Sequence, residues 1–162
     1  MINTIKSSEL ADYIEDTCCE NGVCVGMDNI SDYVIIKVDK YYNSLKIEKR
    51  PPSIDCLIIY KCKDSNSYSA TLVELKNTTK FDLENLKKKF ETTLSHFISD
   101  KFSNLLELDY KKIQLYYVSS KEIYKRDVSL KLEALMNVKF NYKDKKIMIK
   151  PQMPNPAIKN CY

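Results

Sequence analysis

The chain has 162 residues, 44% apolar and 30% charged, and its 26 basic and 22 acidic side chains leave a net charge of +4. A chain of this length buries roughly two thirds of its unfolded surface, so residues 1–162 read as one ordered domain, and disordered and fibrous classes are excluded. No apolar run reaches the roughly 18 residues of a membrane span and "MINTIKSSEL" has no apolar signal core, so the chain reads as cytoplasmic, with no membrane partner.

In chain order, "SSELADYIEDTCCENG" (residues 7–22) has serines suited to an N-cap, Leu10, Ile14 and Cys18 at helical spacing, and an Asn-Gly stop, which predicts a first helix. "DYVIIKVDKYYN" is β-branched and aromatic and predicts a strand, which "SLKIEK" extends or pairs with. After the break at "RPP", "IDCLIIYKC" and "YSATLVELK" are strands joined by the turn chemistry of "KDSNS", a hairpin. "TKFDLENLKKKFETTLSHFISDKF" places Leu83, Leu86, Phe90, Leu94 and Phe97 on one stripe, an amphipathic helix. "KKIQLYYVSS" predicts a further strand, "VSLKLEALMN" a short helix, and "VKFNYKDKKIMIK" a hairpin turning at Lys143 to Lys145. The proline-bearing tail "PQMPNPAIKNCY" predicts irregular structure. The order implies an α/β fold with a mixed sheet flanked by helices.

Cys18, Cys19, Cys24, Cys56, Cys62 and Cys161 read as free thiols, because no secretion signal accompanies them. "CCENGVC" lacks the paired CxxC units of a structural zinc site, and only the distant Cys161 is left as a fourth ligand. Cys56 and Cys62 share one parity on a predicted strand and should point into the core.

Three charged residues in the hairpin need a reason, since carboxylates are depleted in strands and costly to bury unpaired. Asp55 opens the first strand, while Glu74 and Lys76 end the second, two apart and so on one face, about 6 to 7 Å from each other. Antiparallel pairing brings Asp55 to Glu74. Two close carboxylates raise each other's pKa unless a cation shares them, and hard oxygen ligands suit Mg²⁺ or Mn²⁺. Lys76 beside them is placed to hold a water and to offset charge developing on a phosphate, which together are the parts of phosphodiester hydrolysis. The bland alternative is an ion pair at the sheet edge.

"PPSID" ending in Asp55, a hairpin, and "ELK" (Glu74, Leu75, Lys76) before a long helix resemble the PD-(D/E)xK nuclease superfamily. The offset of 19 residues from Asp55 to Glu74 lies within that superfamily's range; the departure is that Ser53 and Ile54 separate the prolines from Asp55. The resemblance implies a restriction-endonuclease-like α-β-β-β-α-β core over about residues 5–120, with C-terminal additions over 121–162. It implies a Mg²⁺-dependent DNA endonuclease, with Asp55, Glu74 and the Leu75 carbonyl on the metal and Lys76 positioning the attacking water. It also implies an acid from the first helix, Glu9 or Glu20, with Glu9 preferred. DNA is the partner expected, RNA is not excluded, and a homodimer would serve two-strand cleavage. The alternative is a non-catalytic nucleic-acid-binding or assembly module on the same fold.

The lone His96 falls off the apolar stripe, so histidine-based hydrolysis has little to stand on. The lysines of "KKK" (87–89) and "IEKR" (47–50) are either a phosphate-tracking surface or a solvated face. Tyr41, Tyr42, Tyr116 and Tyr117 are better read as half core than as base-stacking platforms.

Overall fold

The computed structural model describes residues 1–63, 65–77, 80–120 and 132–161. Three layers stack: helices, a seven-stranded mixed sheet, and a small three-stranded sheet. Among the described residues no helix is long and apolar enough to cross a membrane.

The central sheet is built on three antiparallel strands, β4 (Tyr33–Lys37), β5 (Cys56–Lys61) and β6 (Tyr68–Lys76). From β6 the chain crosses over through α3 (Leu83–Glu91) to β7 (Ile113–Ser119), which lies parallel to β6. The predicted hairpin, long helix and following strand are all present. β8 (Lys139–Tyr142) and β9 (Lys145–Gln152) form the second expected hairpin and extend the sheet, β9 running parallel to β7. A two-residue β1 (Ile14–Glu15) closes the other edge against β4.

α3 begins at Asp82, whose side chain accepts from the Asn85 amide, and continues as a wider π-type helix over Thr92–Lys101, followed by α4 (Ser103–Leu106). The wider turn carries Thr93 with Leu94, then Phe97 with Ile98, then Phe102 inward. Leu86, Phe90, Leu94 and Phe97 are buried as the stripe predicts, and Leu83 packs half-buried against the same cluster. They meet Leu57 and Ile59 of β5, Ala70 and Leu72 of β6, and Leu115 of β7.

The other face of the sheet, carrying Cys56, Ile58, Tyr60, Val73, Leu75 and Val118, is covered by β2 (Cys18–Glu20), β3 (Val23–Asp28) and β10 (Ala157–Lys159). The expected secondary structure fails in three places. Residues 7–22 are not a helix: they give a 3₁₀ turn at Ala11–Tyr13, then β1 and β2. Asn-Gly is a hairpin turn rather than a helix stop, since Asn21 and Gly22 both have positive φ (48° and 79°) and join Glu20 to its partner Val23. Leu10 and Cys18 are buried as helical spacing required, but from separate elements. The first helix is instead the short α1 (Ile2–Lys6).

The second failure follows β4. Residues 38–44 are not strand but the helix α2 (Val38–Ser44), with Tyr41 and Tyr42 buried against Phe97, and "SLKIEK" pairs with nothing as a strand. The third is the tail, where Ala157–Lys159 adds to β3 in parallel and Ile158 is fully buried.

The cysteines are not free. Cys18–Cys56, Cys19–Cys24 and Cys62–Cys161 are disulfides, so no thiol is left for a zinc site. Cys56 and Cys62 are buried, as their shared parity required. The predicted helix over 128–137 is helical over 132–136, and its residues 128–131 lie outside the described residues, as do Asp64 of the "KDSNS" turn, Thr79 at the start of the long-helix segment and Tyr162 of the tail.

Candidate active site

The β5–β6 ladder ends at the pair Cys56 and Val73, and one step further in the same register Asp55 stands opposite Glu74. Opposite residues of an antiparallel pair share a face. Both continue the series that includes Leu57 and Leu72, so both belong to the helix side of the sheet. Asp55 is pinned on two sides. Its carbonyl accepts from the Val38 amide at 3.1 Å, and its Oδ2 accepts from the Leu75 amide at 2.6 Å, between Glu74 and Lys76.

Burial without full compensation sets the charge states. Asp55 is 6% exposed and Glu74 2%. Burial raises the Asp55 pKa to about 6, against the Leu75 amide and the Lys89 charge that lower it, with Glu20 and Asp39 adding to the rise. Burial, and next the Asp55 charge, push Glu74 up to about 8 despite Lys89 and Lys76. One oxygen of Glu74, Oε1, accepts from Lys89 Nζ at 2.5 Å, while Oε2 is buried with no hydrogen-bond partner. Lys89 itself is held above its ordinary range: burial opposes this, but the charges of Glu74, Asp55 and Glu20 outweigh it.

Lys89 is the residue that sequence reasoning missed. It sits in the lysine run 87–89 but, three residues after Leu86 and four before the buried Thr93, it flanks the apolar stripe and turns inward, whereas Lys88 is exposed. Asp39 was missed too. It lies in the first turn of α2, its Oδ1 is buried without a partner, and its charge acts on Asp55. The signal for Asp39 was hidden by reading residues 38–44 as strand.

Lys76 is half-buried, and its charge acts on Glu74. Glu9, the acid preferred from the sequence, lies exposed in a turn and its charge acts on Tyr41, on the Tyr41–Phe97 side of the core. Glu20, at the end of β2, is the acid whose charge reaches Asp55 and Lys89. Two ties hold it there, the Cys18–Cys56 disulfide and a hydrogen bond from Asn77 Nδ2 to the Asn21 carbonyl at 2.8 Å. His96 is exposed and bonded to the Tyr42 hydroxyl at 2.6 Å. Tyr41, Tyr42 and Tyr117 are buried, and residues 47–50 are exposed.

Beside Glu74 the helix side of the sheet opens into a cavity of about 230 Å³, with Lys76, Lys80, Phe81, Lys89 and Tyr117 in its walls. Among the described residues no three His, Cys, Asp or Glu side chains gather into a metal-binding group. No protein-family model matches the chain, and no curated protein or solved structure matches it either.

Proposed function

We propose that the protein is a metal-dependent nuclease that hydrolyses phosphodiester bonds of DNA, with a restriction-endonuclease-like core. The observation that carries this reading is the buried Asp55–Glu74 pair, both carboxyls raised in pKa, beside two lysines at a cavity mouth. The strand order supports it as well: three antiparallel strands, a crossover helix and a parallel fourth strand, with Asp55 and Glu74 at the same end of the central two.

The residues present fit a divalent ion in their chemistry. The unpartnered Oε2 of Glu74 and the charge repulsion between Glu74 and Asp55 are what a hard cation relieves. Mg²⁺ is commonly held by one or two carboxylates and completes its shell with water and substrate phosphate, so Asp55, Glu74 and the Leu75 carbonyl are a sufficient set. Bound there, the ion would supply a more acidic water and neutralise charge on the phosphate. Lys76 would orient that water and stabilise the charge that grows on the phosphoryl oxygens. Lys89 fixes the Glu74 carboxylate through Oε1 and leaves Oε2 available.

The test is conversion of supercoiled plasmid to nicked and linear forms, with Mg²⁺ or Mn²⁺ and with EDTA. Cleavage that needs the metal and disappears in Glu74→Ala is the expected result. One observation favours a second reading, a nucleic-acid-binding module without catalysis: the Lys89 ammonium is already ion-paired with Glu74. Binding of DNA with no cleavage under any metal would select that second reading.

A further inference from the structure

We propose that Lys89 stands in for a second metal ion: the Asp55–Glu74 site takes one divalent cation, because the Lys89 ammonium already occupies the Glu74 oxygen that a second would need. This rests on the nuclease reading and says which kind of metal site that reading implies.

Oxygen count sets the limit. Sites with two metal ions hold them about 3.5 to 4 Å apart, close enough to call for a carboxylate that bridges both. Among the described residues Asp55 and Glu74 are the two buried acids, and no three His, Cys, Asp or Glu side chains gather to make a separate second site. Glu74 Oε1 has Lys89 Nζ at 2.5 Å, while Oε2 has no partner. A dication on Oε1 would stand against the ammonium, and like charges that close in a buried site repel strongly. Oε2 is therefore the one Glu74 oxygen open to a cation, so Glu74 cannot bridge two. Asp55 in turn has its Oδ2 committed to the Leu75 amide.

Charge agrees with the oxygens. The groups that act on the pair are Glu20, Asp39, Lys76 and Lys89, so with every group ionised four acids face two lysines and leave −2, which one divalent ion cancels. Lys80 and Asp82, in the wall of the neighbouring cavity, add one charge of each sign. Lys89 is also fixed where it is. It follows the buried Leu86 by three residues on α3, Thr93 Oγ1 donates to its carbonyl at 2.9 Å, and its side chain is 19% exposed. Glu74, Asp55 and Glu20 all attract its ammonium. Its departure would strand a buried carboxylate with both oxygens unpaired, the costly way to break a buried ion pair.

Titration with Mn²⁺, a hard cation that suits the same oxygens as Mg²⁺, followed by electron paramagnetic resonance, tests this without turnover. The parent should take up one Mn²⁺ per chain, with the spectrum of an isolated ion. Lys89→Met frees Oε1 and should take up a second, with the coupled spectrum of two ions about 4 Å apart, whereas Lys89→Arg keeps the charge and should stay at one. A purely structural role would lower uptake in Lys89→Met, not raise it. Where Lys89→Met is too unstable to titrate, Lys89→Gln removes the charge but keeps a hydrogen-bond donor, and it too should admit the second ion. Two coupled ions in the parent overturn the inference and leave the nuclease reading standing, as does a folded, uncharged variant that stays at one. A parent that binds no Mn²⁺ also overturns it, and plasmid nicking in the same Mn²⁺ then decides whether the nuclease reading falls with it.

Discussion

The two faces of the central sheet are held by different means. The helix face is covered by long side chains on α2, α3 and its π-type extension, with Tyr41, Phe97 and Phe102 in edge-on contacts around 5 Å. The opposite face is covered by strands of three to six residues, and the chain adds covalent ties there: Cys18 to Cys56 joins β2 to the first residue of β5, and Cys62 to Cys161 joins the residue after β5 to the segment after β10. A three-stranded sheet that small buries too little apolar area to stay docked by packing alone. The difference teaches that the charged groups were placed on the face whose packing is deep enough to hold them, while Glu20 reaches them from the face that needs stapling.

Removing the staples is expected to have the largest effect. In the chain-entropy account, Cys62–Cys161 closes a separation of 99 residues and is worth about 4.7 kcal/mol, Cys18–Cys56 a separation of 38 and about 4, and Cys19–Cys24 a separation of 5 and about 2. Serine pairs at each site, followed by denaturant unfolding, should rank in that order. Hydrogen exchange on the reduced protein should rise in β2, β3 and β10 before it rises in β5, β6 or α3. Uniform exchange would mean that the two faces are not independently held.

Phe90→Ala tests the packed face. Phe90 is fully buried, and its ring lies 6.0 Å from that of Phe140, so truncation should cost about 3 to 5 kcal/mol in denaturant unfolding. A loss under about 1 kcal/mol would contradict the assignment of this face as the principal core.

Lys76→Ala separates chemistry from packing. It lies half-buried at the cavity, at the last position of β6, and its side chain forms no ion pair or hydrogen bond among the described residues, so thermal unfolding should stay within about 0.5 kcal/mol of the parent. Single-turnover cleavage should fall by about 10²- to 10³-fold, as when one charge-stabilising group is removed, with DNA affinity nearly unchanged. An unchanged rate would take Lys76 out of the mechanism.

How much was legible in the sequence follows the same division. The hairpin and the long helix were readable because their period, turn residues and apolar stripe agreed, and the antiparallel register then brought Asp55 opposite Glu74. The outer layer was not, because Leu10, Ile14 and Cys18 have a spacing that a helix and a chain of short strands both satisfy. Only Asn21 and Gly22, taken as a hairpin turn, would have separated the two. Disulfide pairing has no local signature. The inward turn of Lys89 depended on where the stripe meets the sheet, which a count of lysines hides.

The pH dependence of stability is the most gradual of these effects, small over any one pH unit, and its sign is diagnostic. A carboxyl whose pKa is raised in the folded protein holds its proton more tightly there, so it favours the fold at low pH and loses that advantage as pH rises. For Glu74 the window runs from its ordinary 4.5 to about 8, and for Asp55 from 3.8 to about 6. Lys89, raised by the same neighbours, changes nothing in this range because it stays charged below its ordinary 10.5. Unfolding free energy should therefore decline across the window, by at most about 1.4 kcal/mol per pH unit for one proton. Glu74→Gln cannot ionise, so the slope above pH 6 should flatten even if the variant is less stable throughout. Added Mg²⁺ competes with the proton for the same oxygens and should stabilise the parent most at the alkaline end of the window. Denaturant midpoints measured across the window with and without Mg²⁺ decide it. A flat parent stability there would mean that both carboxyls ionise in the folded state at ordinary values, and one that rises with pH would mean that they ionise below them and that the Lys89 charge, not burial, governs the site.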